Sequence, residues 1–477
     1  METNSKDRRV KIMSSRKYNL VLYLVATTFF METLDSTVIA TALPKMAEDF
    51  GVAPVDVGIG ITAYLLTLAT LIPISAWLAD RFGTRNIFTI AIIIFTGSSI
   101  LCGLSESLWF FTLSRVLQGV GGALMVPVGR IIVLRNTKTE DIIRAVGLIT
   151  WPGLIGPVVG PAIGGFLTSY ATWHWIFFIN VPIGIVGIYL SWVLIEPFKE
   201  QNQKPLDYLG FLYTGTSLSS LIYAIELSRK IQETQIACVS FVILGVIAGV
   251  LSIRHLKRAL NPMIDLSLFS IPTFSITMWV GLWIRTALSA IPFLIPLYLQ
   301  VGLGIDPFIA GLLVLSVFIG NLVMKAFTTP MLNRFGFKKL MTINGYLVIL
   351  SFLACALITK EMPFWMMALI LFMNGLFRSL QFTSINTLSL ADVPKPQMSS
   401  ASALASTAMQ ISMALGIAVG SLILTLASLI NQGNAQTPLI QDFRLAFVLI
   451  TLLPICSLWN LSMLSKDAGN SLRKLKN

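Results

Sequence analysis

Glu32 and Asp35 stand three residues apart inside a long apolar run, so a helix there carries both carboxylates on one face. Neighbouring carboxylates in a low-dielectric setting hold protons more readily than isolated ones, which suits a proton-coupled step. The plainer arrangement salt-bridges one of them to a buried arginine and leaves the other near the lipid headgroups. Arg115 lies in Arg115-Val116-Leu117-Gln118-Gly119-Val120-Gly121-Gly122. A buried arginine keeps its charge, so it would hold a carboxylate ionised or let it go as helices move; satisfying carbonyls at a helix bend is the alternative. Arg285, Lys325 and Arg378 sit in later apolar runs. Arg285 and Arg378 would meet an anionic substrate, balance the two acids, pack, or snorkel, whereas Lys325 is expected to snorkel. A charge at mid-bilayer costs about 3 kcal/mol or more, so such residues face a cavity or a partner.

Two further stretches stand out. Gly156, Gly160 and Gly164 share one helical face, with Pro157, Pro161 and Gly165 interleaved. Small residues at this spacing let helices approach closely, and the prolines loosen the ladder, which predicts a bend and a sliding seam between two halves of the molecule. Asp80-Arg81-Phe82-Gly83-Thr84-Arg85 is a tight basic turn, and Asn333-Arg334-Phe335-Gly336-Phe337-Lys338 repeats its core 253 residues downstream. Gly83 permits the reversal, Asp80 is expected to accept from a neighbouring helix N-terminus, and Arg81 and Arg85 to pair with acids on adjacent loops.

The elements that must position these residues are membrane helices. Of 477 residues 55% are hydrophobic and 12% charged, with a mean hydropathy of +0.80, far from the roughly 25% charged residues of a soluble domain. Runs of about 20 apolar residues cross a bilayer, and fourteen are read, at 18–43, 57–79, 86–104, 107–129, 145–169, 173–195, 208–228, 234–253, 272–299, 307–329, 340–359, 362–390, 399–429 and 443–464. With this topology 25 of the 34 Lys and Arg fall on one side, which the positive-inside rule makes cytoplasmic, together with both termini. Lys45, Arg229, Lys230, Lys360 and Arg444 fall outside. The first run is too long, and too interrupted by Glu32 and Asp35, for a cleaved signal peptide despite Ala40-Thr41-Ala42. Cys102, Cys238, Cys355 and Cys456 lie in apolar spans without paired spacing and read as small core residues.

The repeated turn divides the chain into a basic tail 1–17, a six-helix bundle 18–195, a linker with two inserted helices 196–271, a second six-helix bundle 272–464 and a tail 465–477. A duplicated pattern of this kind is expected of a transporter. The net charge of +12 is scattered over short loops, so it orients the protein and predicts no nucleic-acid partner. No Gly-Lys dipeptide offers a phosphate loop, and His174 and His255 are the only histidines. An ATPase, a metal centre and an enzyme are therefore not expected. No cofactor is expected either; a proton gradient would supply the energy.

These segments resemble the major facilitator superfamily, specifically its fourteen-span drug:proton antiporter branch. Ala76 to Arg85 resembles the superfamily's loop motif with Ala76 for its first glycine, Arg115 to Gly122 the fourth-span motif, and Gly156 to Gly165 the fifth-span antiporter motif. Leu34 to Pro44 resembles the branch's first-span motif with Ala40 in place of its Asn; Trp173 to Pro182, Leu294 to Gly304 and Ser384 to Leu388 are also similar. The resemblance implies an all-α polytopic fold of fourteen transmembrane helices: two six-helix bundles plus two inserted central helices. It implies an inner-membrane exporter working by alternating access, with a proton role for Asp35 and a gating or coupling role for Asp80 and Arg115. Small amphipathic drugs are the expected cargo, and one endogenous metabolite such as a siderophore the alternative. Phe29, Phe30, Tyr64, Arg285 and Arg378 are candidate substrate contacts. The partners expected are that substrate, protons and the lipid bilayer, with the protein acting as a monomer.

Overall fold

The computed structural model describes residues 15–137, 142–198, 205–228, 231–259, 262–394, 397–431, 438–465 and 467–469. The basic tail before Ser15, most of the 199–207 linker, Arg229, Lys230 and the tail beyond 469 lie outside the described residues. Every regular element described is helical. The first half comprises α1 (Ser15–Val38), α2 (Gly58–Phe82), α3 (Thr84–Gly103), α4 (Leu108–Asn136), α5 (Ile142–Tyr170) and α6 (Trp175–Leu194). The hairpin α7 (Tyr208–Ser228) and α8 (Ile231–Leu256) follows. The second half comprises α9 (Pro272–Leu297), α10 (Pro307–Phe335), α11 (Phe337–Ala356), α12 (Phe364–Ser389), α13 (Met398–Ile430) and α14 (Ile440–Ser462).

Thirteen helices among the described residues are long and apolar enough to cross a membrane. The expected span 208–228 is present as α7 but is not among them. Its apolar run is broken by Thr214, Thr216, Ser217, Ser219 and Ser220. Two of these hydroxyls face α8, where Thr214 bonds to Ser252 (2.7 Å) and Ser217 donates to the Gly245 carbonyl (2.8 Å). Cys456 also departs from expectation: it is exposed on α14, whereas Cys102, Cys238 and Cys355 are buried.

The packing is pseudo-symmetric. In the first half α1 packs on α5 and α6, and α4 on α2 and α3; in the second, α9 packs on α13 and α14, and α12 on α10 and α11. The halves meet through α5 on α10 and α13 on α2, again equivalent pairs, and α7 leans on that second seam. Both basic turns place a glycine in the left-handed region, Gly83 at φ 95° and Gly336 at φ 75°, where a side chain would be strained. The copies therefore share backbone geometry, not only composition.

At the end away from these turns the halves are tied together. Gln300 donates to the Thr41 carbonyl (2.9 Å), Ser421 to the Val55 carbonyl (3.4 Å), and the Phe308 N–H to Ser169 Oγ (3.2 Å). At the opposite end Asp207 joins three segments, accepting from Gly210 N (2.9 Å) and Met263 N (3.0 Å) and pairing with His255 (2.6 Å). Burial pushes its carboxyl up, but those two N–H groups and the imidazole outweigh it and hold the pKa below the usual carboxylate range.

Candidate functional site

Asp35 lies on α1, and Arg115 on α4 reaches it across 80 positions of sequence, with an Nη1 to Oδ2 distance of 2.6 Å and both side chains fully buried. The carboxylate is satisfied on its other oxygen as well. Gln118 Nε2 and Asn180 Nδ2 each donate to Asp35 Oδ1 at 2.9 Å, and Gln118 also donates to Ser99 Oγ at 2.8 Å. Arg115 donates in addition to Gln118 Oε1, and its guanidinium stacks on the Tyr64 ring 4.2 Å from the centroid. Four helices of the first half thus converge on one ion pair. A buried pair endures only where such hydrogen bonds replace lost water.

Gln118 and Asn180 stand out only once this pairing is known. Gln118 lies three residues from Arg115 and so shares its helical face, which was a usable signal. Asn180, a polar residue inside an apolar run, was a weaker one. Glu226, buried near the end of α7 with Thr62 donating to it at 3.4 Å, lies in an expected span but was not singled out.

Glu32 sits one turn from Asp35 and is only partly buried, but its Oε2 is enclosed without a hydrogen-bond partner, as is the Tyr64 hydroxyl. Gly122 leaves both their room: a Cβ there would stand 3.0 Å from the Tyr64 hydroxyl and 3.7 Å from Glu32 Cδ. The two neighbouring acids therefore have different surroundings, one locked by three polar side chains and one with an unpartnered oxygen. The aromatic candidates divide as well. Tyr64 is buried beneath Arg115, and Phe29 is core, packed toward Gly129 and Gly153, so neither lines an open cavity as expected; Phe30 is partly exposed.

The fifth-span stripe corrects another expectation. Gly156, Gly160 and Gly164 do not face the other half; they abut Thr33, Thr37 and Val38–Thr41 of α1, the helix that carries Asp35. The residues turned toward the second half are Pro161, whose carbonyl meets Gly311, and Gly165, which meets Pro307 and Phe308. Spacing could show a flat face but not which neighbour it met. A Cβ on Gly164 would collide with backbone of α1, whereas Gly97 has nothing within 4 Å. Gly164→Ala is therefore expected to lower the melting temperature in detergent and reduce the folded yield. Gly97→Ala should be neutral or stabilising by up to about 1 kcal/mol, and equal melting of the two variants would contradict this packing.

At the basic turn Asp80 accepts from Arg135 at the end of α4 (3.0 Å), not from a helix N-terminus. Arg135 stacks on Phe198 (4.0 Å) and Arg85 on Trp192 (4.5 Å), so the turn clamps the chain leaving α6; Arg85 finds an indole, not the acid expected. Thr84 N–H donates to the Phe198 carbonyl (3.1 Å). In the second copy Lys338 donates to the Ser462 and Leu464 carbonyls, capping α14.

Between the halves, Ser36, Thr37, Ala40, Ile61, Pro161 and Phe293 line part of a cavity of about 50 Å³ below the closed end. Among the described residues no cluster of three His, Cys, Asp or Glu side chains is able to hold a metal ion.

The profile of the Major Facilitator Superfamily matches residues 25–289 and 280–475. A protein of Pectobacterium carotovorum subsp. carotovorum (strain PC1), named as a multidrug resistance protein, MdtD, is 37% identical over 446 residues, covering 93% of this chain and 96% of its own. The like-named protein of Escherichia coli (strain 55989 / EAEC) is 38% identical over 440 residues, covering 91% and 92%. Among solved structures, a POT family transporter in complex with 5-aminolevulinic acid superposes with a TM-score of 0.65 at 13% identity, covering 96% of this chain and 97% of that one.

Proposed function

Since the chain belongs to the Major Facilitator Superfamily, a family of multi-pass membrane transporters and not of enzymes, we propose that it is a proton-driven exporter of small amphipathic compounds in the bacterial inner membrane, with both termini cytoplasmic. The observation that carries the reading is the buried Asp35–Arg115 pair, held by Gln118 and Asn180 at one end of the first half. A fully desolvated charge pair contributes little net stability compared with apolar packing, so its presence in a membrane domain favours a functional role. In the proposed cycle Asp35 is ionised while the outer end is closed. Opening admits a proton to it, the pair with Arg115 loosens, and substrate leaves outward. Return to the inward-facing form re-forms the pair and expels the proton to the cytoplasm. Glu32, with an unpartnered oxygen one turn away, provides a second proton-accepting position on the path. No cofactor takes part, and one chain suffices.

Proteoliposomes loaded with a pH-sensitive dye test this reading. Adding a transported drug should dissipate a preset pH gradient in protein-containing vesicles and not in empty ones. Drug movement with no proton movement would overturn it. The turn carries a milder expectation. Asp80–Arg135 is about one-third exposed, worth about 1 kcal/mol or less, so Asp80→Asn should fold normally. It should nevertheless slow turnover with little change in apparent KM, because the clamp at the cytoplasmic end of the first half would be weakened. An unchanged turnover number would remove Asp80 from gating.

A further inference from the structure

The interior of the second half carries positive charge with no acid to match it. Helices α9 to α13 contain no Asp or Glu, and the one acid of α14, Asp442, is engaged by Ser428 (2.8 Å), Asn431 (2.8 Å) and the Leu439 N–H (2.8 Å). Yet Arg285, Lys325 and Arg378 all lie well inside their helices. Arg285 is thirteen residues from the start of α9, and Lys325 ten from the end of α10.

One of the three, Lys325, lines a cavity of about 430 Å³ between α10 and α12, together with Asn321, Ser379, Phe382, Thr383 and Asn386. Arg285, fully buried, backs the cavity wall from α9: its Nη2 donates to Asn386 Oδ1 at 2.6 Å, and its guanidinium lies 5.8 Å from the Phe382 ring centroid. Its Nε and Nη1 are enclosed with no partner, as is Arg378 Nη1. Arg378, Phe382 and Asn386 recur at four-residue spacing and so share a face of α12. A lining ammonium, amides and hydroxyls, with unspent guanidinium donors behind Asn386, match the oxygens of carboxylates or phosphates, and the Phe382 ring offers a flat apolar surface beside them.

We propose that this cavity docks the acidic end of the exported molecule, which is therefore an organic anion bearing carboxylate or phosphate groups on an apolar body. The assignment rests on the export reading and fixes its substrate class. It also divides the labour between the halves: the first carries the proton on carboxylates, the second carries the cargo on cations.

The test uses the full chain in detergent and in proteoliposomes, with phthalate, phenyl phosphate, neutral phthalamide and cationic ethidium as probes. Phthalate or phenyl phosphate should raise the melting temperature of the native chain, and the stronger of the two identifies the acid preferred; phthalamide should not. Lys325→Gln and Arg285→Gln should each weaken the anion's apparent affinity roughly tenfold or more, the loss expected for one charge-assisted hydrogen bond. Should Arg285→Gln fail to fold, Lys325→Glu decides alone: it should abolish the anion effect while leaving the melting of the free protein nearly unchanged. Anion binding that is equal in the native and Lys325→Glu chains overturns the site, as does stabilisation by ethidium or phthalamide but by neither anion. If ethidium dissipates the pH gradient and the anions do not, the site falls and export stands. If anions bind with the expected variant pattern but no probe moves protons, coupling falls and the site stands.

Discussion

In proteoliposomes with a preset pH gradient, Asp35→Asn is expected to reduce substrate-induced dissipation to the level of protein-free vesicles. The amide is nearly isosteric but has no proton to exchange in the relevant range. It also has the wrong polarity for its surroundings. Asp35 Oδ1 accepts from both Gln118 and Asn180, and Oδ2 accepts from Arg115, so the asparagine amino group must confront a donor whichever way it turns. Removing one partner of a buried pair typically costs about 3–5 kcal/mol, because the remaining charge is left desolvated. The variant should therefore be both uncoupled and less stable. Uncoupling at unchanged stability would mean that the pair opens readily in the resting state. Full coupling in a folded Asp35→Asn chain would remove Asp35 from the proton path, leaving Glu32 as the acid to test with Glu32→Gln.

Arg115→Leu is expected to be the most damaging single change in the first half. The guanidinium is fully buried, stacked on Tyr64 and bonded to both Asp35 and Gln118; leucine abandons the carboxylate and leaves space where the guanidinium stood. A loss of about 3–5 kcal/mol is again the expected scale. The informative measurement is the double variant Asp35→Asn/Arg115→Leu. If the pair is mainly a mutual neutralisation, the double variant should melt above Arg115→Leu alone, a coupling energy that a cycle of four proteins isolates. It should still fail to dissipate the pH gradient. Recovery of stability without recovery of coupling separates the structural from the functional role of the pair. Arg115→Lys keeps the charge but loses the planar stack and the shared donation to two acceptors, so it should be intermediate in stability. Equal melting of Arg115→Leu and the native chain would contradict the burial and the contacts described.

Much of the fold was legible in the chain because membrane helices announce themselves through local composition. Each needs only a run of apolar residues long enough to cross the hydrocarbon, and the bounds of α2 and α9 fall within a few residues of the spans read from hydropathy. The helix least apolar by that measure, α7, spends its serines and threonines on α8. Such use of polar residues depends on a neighbour and cannot be scored from one segment. The repeated turn was also readable, since the residue demanded by a positive φ is glycine in both copies.

The site was legible only in part. Sequence named Asp35, Arg115, Asp80 and the glycine stripe, because a charge in an apolar run and a glycine every fourth residue are conspicuous whatever surrounds them. It could not say that Gly156, Gly160 and Gly164 serve α1, that Phe29 is core while Tyr64 covers an arginine, or that Arg135 is the partner of Asp80. By itself, then, the chain determined which charges must enter the membrane and the inventory of helices that carries them. Helical period and hydropathy are properties of consecutive residues. The tertiary structure alone decided how those charges were shared out. Asp35 of α1 meets Arg115 across 80 positions, and in the second half Arg285 reaches Asn386 on the wall of a cavity that Lys325 lines without an acid. Both outcomes depend on how helices distant in sequence pack, and in a low-dielectric interior it is that proximity which sets the energy of a charge.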